Sequence, residues 1–137
     1  MGLIVLDAGI VIAALDAADA RHAAAVAALR AAGTAGDRLV VPASAYAEAL
    51  VAPSRRGADA VATLDAFLDA LGATIEPASR DVARRAATVR AVYGPSLRLP
   101  DALVLATGDV LDADVILTTD ARWPDTGITV KIVGSER

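Results

Sequence analysis

Short apolar runs alternate with longer helix-forming stretches along the whole chain, and this alternation limits the folds open to it. Leu3 to Leu6 is apolar at every position, and Leu39 to Val41 and Val115 to Leu117 repeat the pattern. A strand with no polar face has to be covered on both sides, which is the condition of a strand inside a parallel sheet. Thr74 to Glu76 reads as a weaker strand and Thr129 to Val133 as a last one.

The stretches between them carry helix signals. Ile10 to Leu15 opens a first short helix. Asp19 to Ala32 is alanine-rich, with Val26 and Leu29 on one face and Gly33 placed as its stop. Ser44 is placed as the N-cap of a helix carrying Glu48. Asp59 to Leu71 repeats apolar residues at helical spacing and ends at Gly72. Ser79 caps a helix running to about Val92, which Gly94-Pro95 terminates, and Leu99-Pro100-Asp101 starts another. Strands separated by helices throughout imply a three-layer α/β sandwich with a mostly parallel sheet and right-handed crossovers. At 137 residues, with no linker or repeat, the expectation is a single domain over 1–137.

Composition removes several chemistries. The chain has no cysteine and one histidine, His22, so a disulfide scaffold and the common zinc or iron–sulfur sites are excluded. Any metal site would be made of oxygen. The net charge of −4 argues against a protein that grips nucleic acid mainly by long-range attraction. The basic residues are nonetheless almost all arginine, with Lys131 the single lysine, and guanidinium suits close bidentate contact with phosphate. Leu3 to Leu15 is interrupted by Asp7, is too short to span a bilayer and lacks a basic flank. The expectation is a cytoplasmic protein without a membrane partner.

Against this background four acids stand out: Asp7 in LIVLDAG, Glu48 in SAYAEAL, Asp101 in RLPDALVLATG and Asp120 in VILTTDARW. Asp7 and Asp120 follow strands, where ligands bind in open α/β sheets, and Glu48 and Asp101 lie near helix starts. Each has a simpler use. Asp7 could cap a helix, Asp101 could favour a helix dipole, and Asp120 could end a strand in a turn. Glu48 is hardest to explain that way, because it lies among alanines, Leu50 and Val51, where burying it unpaired is costly. If the strands before Asp7 and Asp120 are neighbours, the acids share one edge and suit Mg²⁺ or Mn²⁺. Such ions activate water and polarise a phosphoryl oxygen, which is nuclease chemistry. Periodicity alone leaves that adjacency open.

The order and spacing of these four motifs resemble the PIN-domain ribonucleases, and the VILTTDARW ending is similar to the VapC toxins of bacterial toxin–antitoxin modules. The resemblance covers nearly the whole chain. It implies a five-stranded parallel sheet in the order 3-2-1-4-5 and an Mg²⁺- or Mn²⁺-dependent endoribonuclease acting on RNA. It matches Asp7, Glu48, Asp101 and Asp120 to the family's acidic quartet and Thr119 to a supporting hydroxyl, and it leaves Asp125 as a peripheral acid. Gly9 departs from the Ser, Thr or Asn usual two residues after the first acid. A cognate antitoxin and a homodimer are the implied partners, and Arg98 and Arg122, flanking two of the acids, are the expected substrate contacts. Two other readings compete. A receiver-like phosphoacceptor module needs a paired acidic start and a well-placed lysine, neither of which is present. A catalytically silent PIN-like scaffold is harder to square with an intact quartet.

Overall fold

The computed structural model describes residues 1–134. Its sheet has five parallel strands, β1 (Leu3–Leu6), β2 (Arg38–Pro42), β3 (Thr74–Glu76), β4 (Val115–Thr118) and β5 (Val130–Ile132), in the order β3-β2-β1-β4-β5. The expected fold is therefore the observed one. β1 lies at the centre, with Val5 paired to Val40 of β2 and to Ile116 of β4. Successive residues of a strand face opposite sides, yet Ile4, Val5 and Leu6 are all buried. Helices must therefore cover both faces, which makes three layers.

Those helices are α1 (Ala8–Leu15), α2 (His22–Ala35), α3 (Ala43–Arg56), α4 (Ala58–Ala70), α5 (Arg80–Tyr93) and α6 (Leu99–Val110), with a 3-10 turn at Gly94–Ser96. Ser79 caps α5 as expected, its hydroxyl accepting from the Val82 N–H at 3.2 Å. The core consists of Ala, Val, Leu and Ile from both layers, including Ile10, Val41, Leu64, Val82 and Leu105. Burying each large aliphatic side chain stabilises the fold by about 1.5–3 kcal/mol.

Three boundaries differ from the sequence reading. Helix α2 passes through Gly33, whose missing side chain would have faced open space, and stops at Gly36, which takes a left-handed φ of 73°. It also begins later, because Asp19 spends its carboxylate on the Arg21 N–H at 2.8 Å in a turn. Ser44 caps nothing. Strand β2 runs directly into α3 at Pro42, so Ser44 falls inside the first turn with its hydroxyl buried and unpartnered.

One glycine fixes how closely α6 sits on the sheet. A Cβ on Gly108 would lie 2.5 Å from Ile116 Cδ1 and 2.8 Å from Cγ1, and Ile116 is fully buried in β4. Gly108→Ala should therefore lower unfolding stability by about 1–3 kcal/mol through overpacking, despite alanine's better helix propensity. Adding Ile116→Val, which shortens the opposing side chain, should recover part of the loss in denaturant titrations. A more stable single variant would contradict this account of the packing.

Candidate active site

β1 and β4 are neighbours, so the residues that follow them meet at the carboxyl edge of the sheet. Asp7 continues the ladder by one bond, its N–H donating to the Leu117 carbonyl at 2.9 Å, and the residue is only 8% exposed. One carboxylate oxygen accepts from the Ala8 N–H at 2.8 Å, making Asp7 the cap of α1. The other accepts from the Thr118 hydroxyl at 2.7 Å. That hydroxyl also accepts from the Asp120 N–H at 3.1 Å. A single threonine at the end of β4 thus ties Asp7 to the backbone that carries Asp120.

Asp101 lies in the first turn of α6, after Pro100, where a carboxylate suits the positive end of the helix dipole. Its side chain is mostly buried, and the Arg98 guanidinium lies 3.8 Å away. Asp120 is held more firmly by Arg122, whose Nε and Nη2 donate to the two carboxylate oxygens at 3.1 and 3.2 Å. Glu48 is different. It is exposed on α3, so the argument from burial cost does not apply to it. It lies on the rim of an apolar groove lined by Ile12, Leu15, Ala49, Pro53 and Leu64.

The electrostatics join all four. Burial pushes the Asp7 carboxyl above its ordinary range, against the lowering effect of its two hydrogen bonds, and the charge of Asp120 adds to the rise. Glu48, exposed as a residue, is still raised first by partial loss of hydration at its carboxyl and then by the charges of Asp7 and Asp101. Asp101 is raised by burial first and by Asp7 next. Asp120 alone is lowered, because Arg122 hydrogen-bonds its charged form. The acids therefore sense one another, and three are destabilised as anions.

The donor set is entirely oxygen, which fits Mg²⁺ or Mn²⁺, and a cation would relieve the repulsion. As the side chains stand, no three acids or histidines among the described residues surround one point. The remaining sequence candidates fall outside this cluster. Asp125 accepts from the Gly127 N–H at 3.0 Å within its own turn. Thr119 bonds none of the acids; the hydroxyl that does belongs to Thr118, which the sequence pattern leaves just past the fourth strand and the structure makes its last residue. His22 donates from Nδ1 to the Ala13 carbonyl, 2.9 Å away, and is a packing residue between α1 and α2.

The PIN domain family model matches residues 4–128. The chain belongs to the PIN domain family. Solved structures similar to this PIN domain include VapBC2 from Rickettsia felis bound to a promoter DNA fragment, at 12% identity and a TM-score of 0.74, over 96% of this chain and 98% of that one. A toxin–antitoxin complex from Klebsiella pneumoniae is 23% identical with a TM-score of 0.73, over 98% and 99% of the two chains. VapC20 of Mycobacterium tuberculosis, a sarcin-ricin loop cleaving toxin, is 19% identical with a TM-score of 0.64, over 82% and 86%. No curated protein matches the chain in sequence.

The raised acids of this PIN domain set the sign of its pH dependence. A raised carboxyl means that the folded chain keeps a proton the unfolded chain has released. The stability it contributes is full below the unfolded values, 3.8 for Asp and 4.5 for Glu, and is lost as pH rises through the higher folded values. Asp120 acts oppositely and contributes above 3.8. The metal-free melting temperature should thus decline from mildly acidic toward neutral pH. Asp7→Asn, which still offers an oxygen to the Ala8 N–H, should melt higher than wild type near neutrality and show a shallower decline. An equally steep decline in the variant would mean that Asp7 is only a cap.

Proposed function

We propose that this PIN domain is an Mg²⁺- or Mn²⁺-dependent endoribonuclease and the toxin of a toxin–antitoxin pair. The observation that carries the nuclease reading is the meeting of Asp7, Glu48, Asp101 and Asp120, from four separate elements, at one edge of the sheet, with three of them raised in pKa. Carboxylates crowded in this way are poor anions and good ligands for a hard cation. When bound, the ion activates water and polarises a phosphoryl oxygen.

The chain's own groups do the rest. Thr118 orients the buried Asp7 and holds the backbone of Asp120 in place. Arg98 and Arg122 pair with Asp101 and Asp120, and beside a cation held by those acids the two guanidiniums would serve as contacts for substrate phosphates. The toxin reading draws support from the similar solved structures, which include toxin–antitoxin complexes and an RNA-cleaving toxin. An antitoxin segment with apolar side chains fits the groove lined by Ile12, Leu15, Pro53 and Leu64, where a basic residue would meet Glu48 at the rim. A homodimer belongs to the same proposal.

The purified chain should cleave single-stranded or structured RNA with Mg²⁺ or Mn²⁺ and stop on addition of EDTA. Asp7→Asn and Asp101→Asn should abolish cleavage while far-ultraviolet circular dichroism is retained. Thr118→Val, which deletes only the hydroxyl behind Asp7, should cost about 10–100-fold in activity or metal affinity. Undiminished cleavage by both acid variants, on material free of contaminating nuclease, would sink the assignment.

A further inference from the structure

Beside the acids lies a second cleft, of about 400 Å³, lined by Arg21, Thr119, Asp120, Ala121 and Arg122. It shares Asp120 and Arg122 with the cleft of about 280 Å³ that contains Arg98 and Asp101. Asp120 and Arg122 thus form a divide between the two. Arg21 comes from the turn after α1, a hundred residues from the others in sequence, and lies outside the acidic quartet and its flanking arginines.

Two glycines make room for the side chains that build this cleft. A Cβ on Gly9, in the first turn of α1, would overlap the Thr119 hydroxyl outright and lie 3.3 Å from Thr119 Cβ. Thr119 therefore occupies the space where residue 9 would carry a side chain. Its hydroxyl has no hydrogen-bond partner among the described residues, in contrast to that of Thr118. Gly134, at a φ of 79°, does the same for Arg21: a Cβ there would lie 2.9 Å from Arg21 Cγ and 3.1 Å from its Cβ. The stem of Arg21 is thus seated on backbone, and its main chain is held by the Asp19 carboxylate. Among the described residues Arg21 makes no ion pair, whereas Arg98 and Arg122 each hold an aspartate.

We infer that this second cleft binds the RNA phosphate next to the scissile one, with Arg21 and Arg122 as the charged contacts and the Thr119 hydroxyl as a hydrogen-bond donor. The inference rests on the nuclease reading of the acids. The guanidinium of Arg21 and the free hydroxyl suit a phosphodiester, which offers acceptors and one negative charge, and Arg122, paired with Asp120, offsets that carboxylate and adds its remaining N–H donors. Because the cleft abuts Asp120, a strand whose phosphate sits at the acids passes its neighbour through it. Gly9 and Thr119 act as one device. A side chain at position 9 would evict the Thr119 hydroxyl, so the glycine relocates a polar group and does not merely delete one.

The test is binding of a fluorescent, mixed-sequence, single-stranded oligoribonucleotide in the Asp7→Asn background with Mg²⁺, titrated over a range of salt. Arg21→Met keeps the stem and removes the charge. It should weaken binding by about tenfold and reduce the slope of log affinity against log salt by about 0.7. Arg21→Lys should restore most of the slope, and the melting temperature of Arg21→Met should match its parent, which a purely structural role would not allow. Thr119→Val should weaken binding by about two- to tenfold with an unchanged slope. Gly9→Ala should reproduce that loss and add little to it in the double variant, because both remove the same hydroxyl. Wild-type RNA cleavage combined with unaltered affinity and slope in Arg21→Met would overturn this cleft alone. Failure of the parent to bind RNA at all would overturn the nuclease reading and the cleft with it.

Discussion

A carboxylate buried at the end of the central strand is the constraint on which the rest of this site depends. Asp7 cannot be left without partners in a layer of aliphatic side chains, since an unpaired buried charge costs far more than one hydrogen bond returns. One of its two partners is local and the other is distant in the chain. The Ala8 N–H comes with the start of α1, and the Thr118 hydroxyl comes with β4, 111 residues away. The Thr118 bond requires the parallel pairing of β1 with β4, whereas the Ala8 bond is local. The sheet order and the acid site are therefore one requirement, and Asp120 takes its position from the same threonine.

Around that anchor the charges are arranged asymmetrically. Asp120 is neutralised by a neighbour two residues along and titrates low, while Asp7, Glu48 and Asp101 are raised. The arginines beside the acids are paired at contact range, so the proposed RNA binding does not depend on the chain's net charge of −4. Long-range attraction to a polyanion is weak at this net charge, and in the proposed reading local guanidiniums take its place. The apolar groove at the Glu48 rim and the two clefts at Asp120 give this one edge surfaces of different chemistry.

What could be read in advance depended on how local the cause was. The apolar runs at β1, β2 and β4, the Ser79 cap and the Pro100 helix start are set by neighbouring residues, and the sequence pattern located them within a residue or two. Ser44 and Gly33 misled because their local signals were overridden, in one case by a strand that enters a helix directly at Pro42 and in the other by a later glycine able to take the left-handed conformation. Glu48 was singled out on an expected burial that the structure does not show, although its charge does couple to Asp7 and Asp101.

The sequence by itself determined the alternation of strands and helices, the all-oxygen character of any metal site and the placement of four acids at element boundaries, because composition and short-range periodicity carry those facts. Only the tertiary structure decided which boundaries meet. Strand order is set by pairing between segments a hundred residues apart, and no local pattern encodes it. The same holds for Thr118, whose hydroxyl matters because β4 lies beside β1, and for Arg21 and Thr119, which line a cleft because glycines distant in sequence, Gly134 and Gly9, leave them the space. A residue's type states what bonds it can make. The fold alone determines which partner is close enough to make them with.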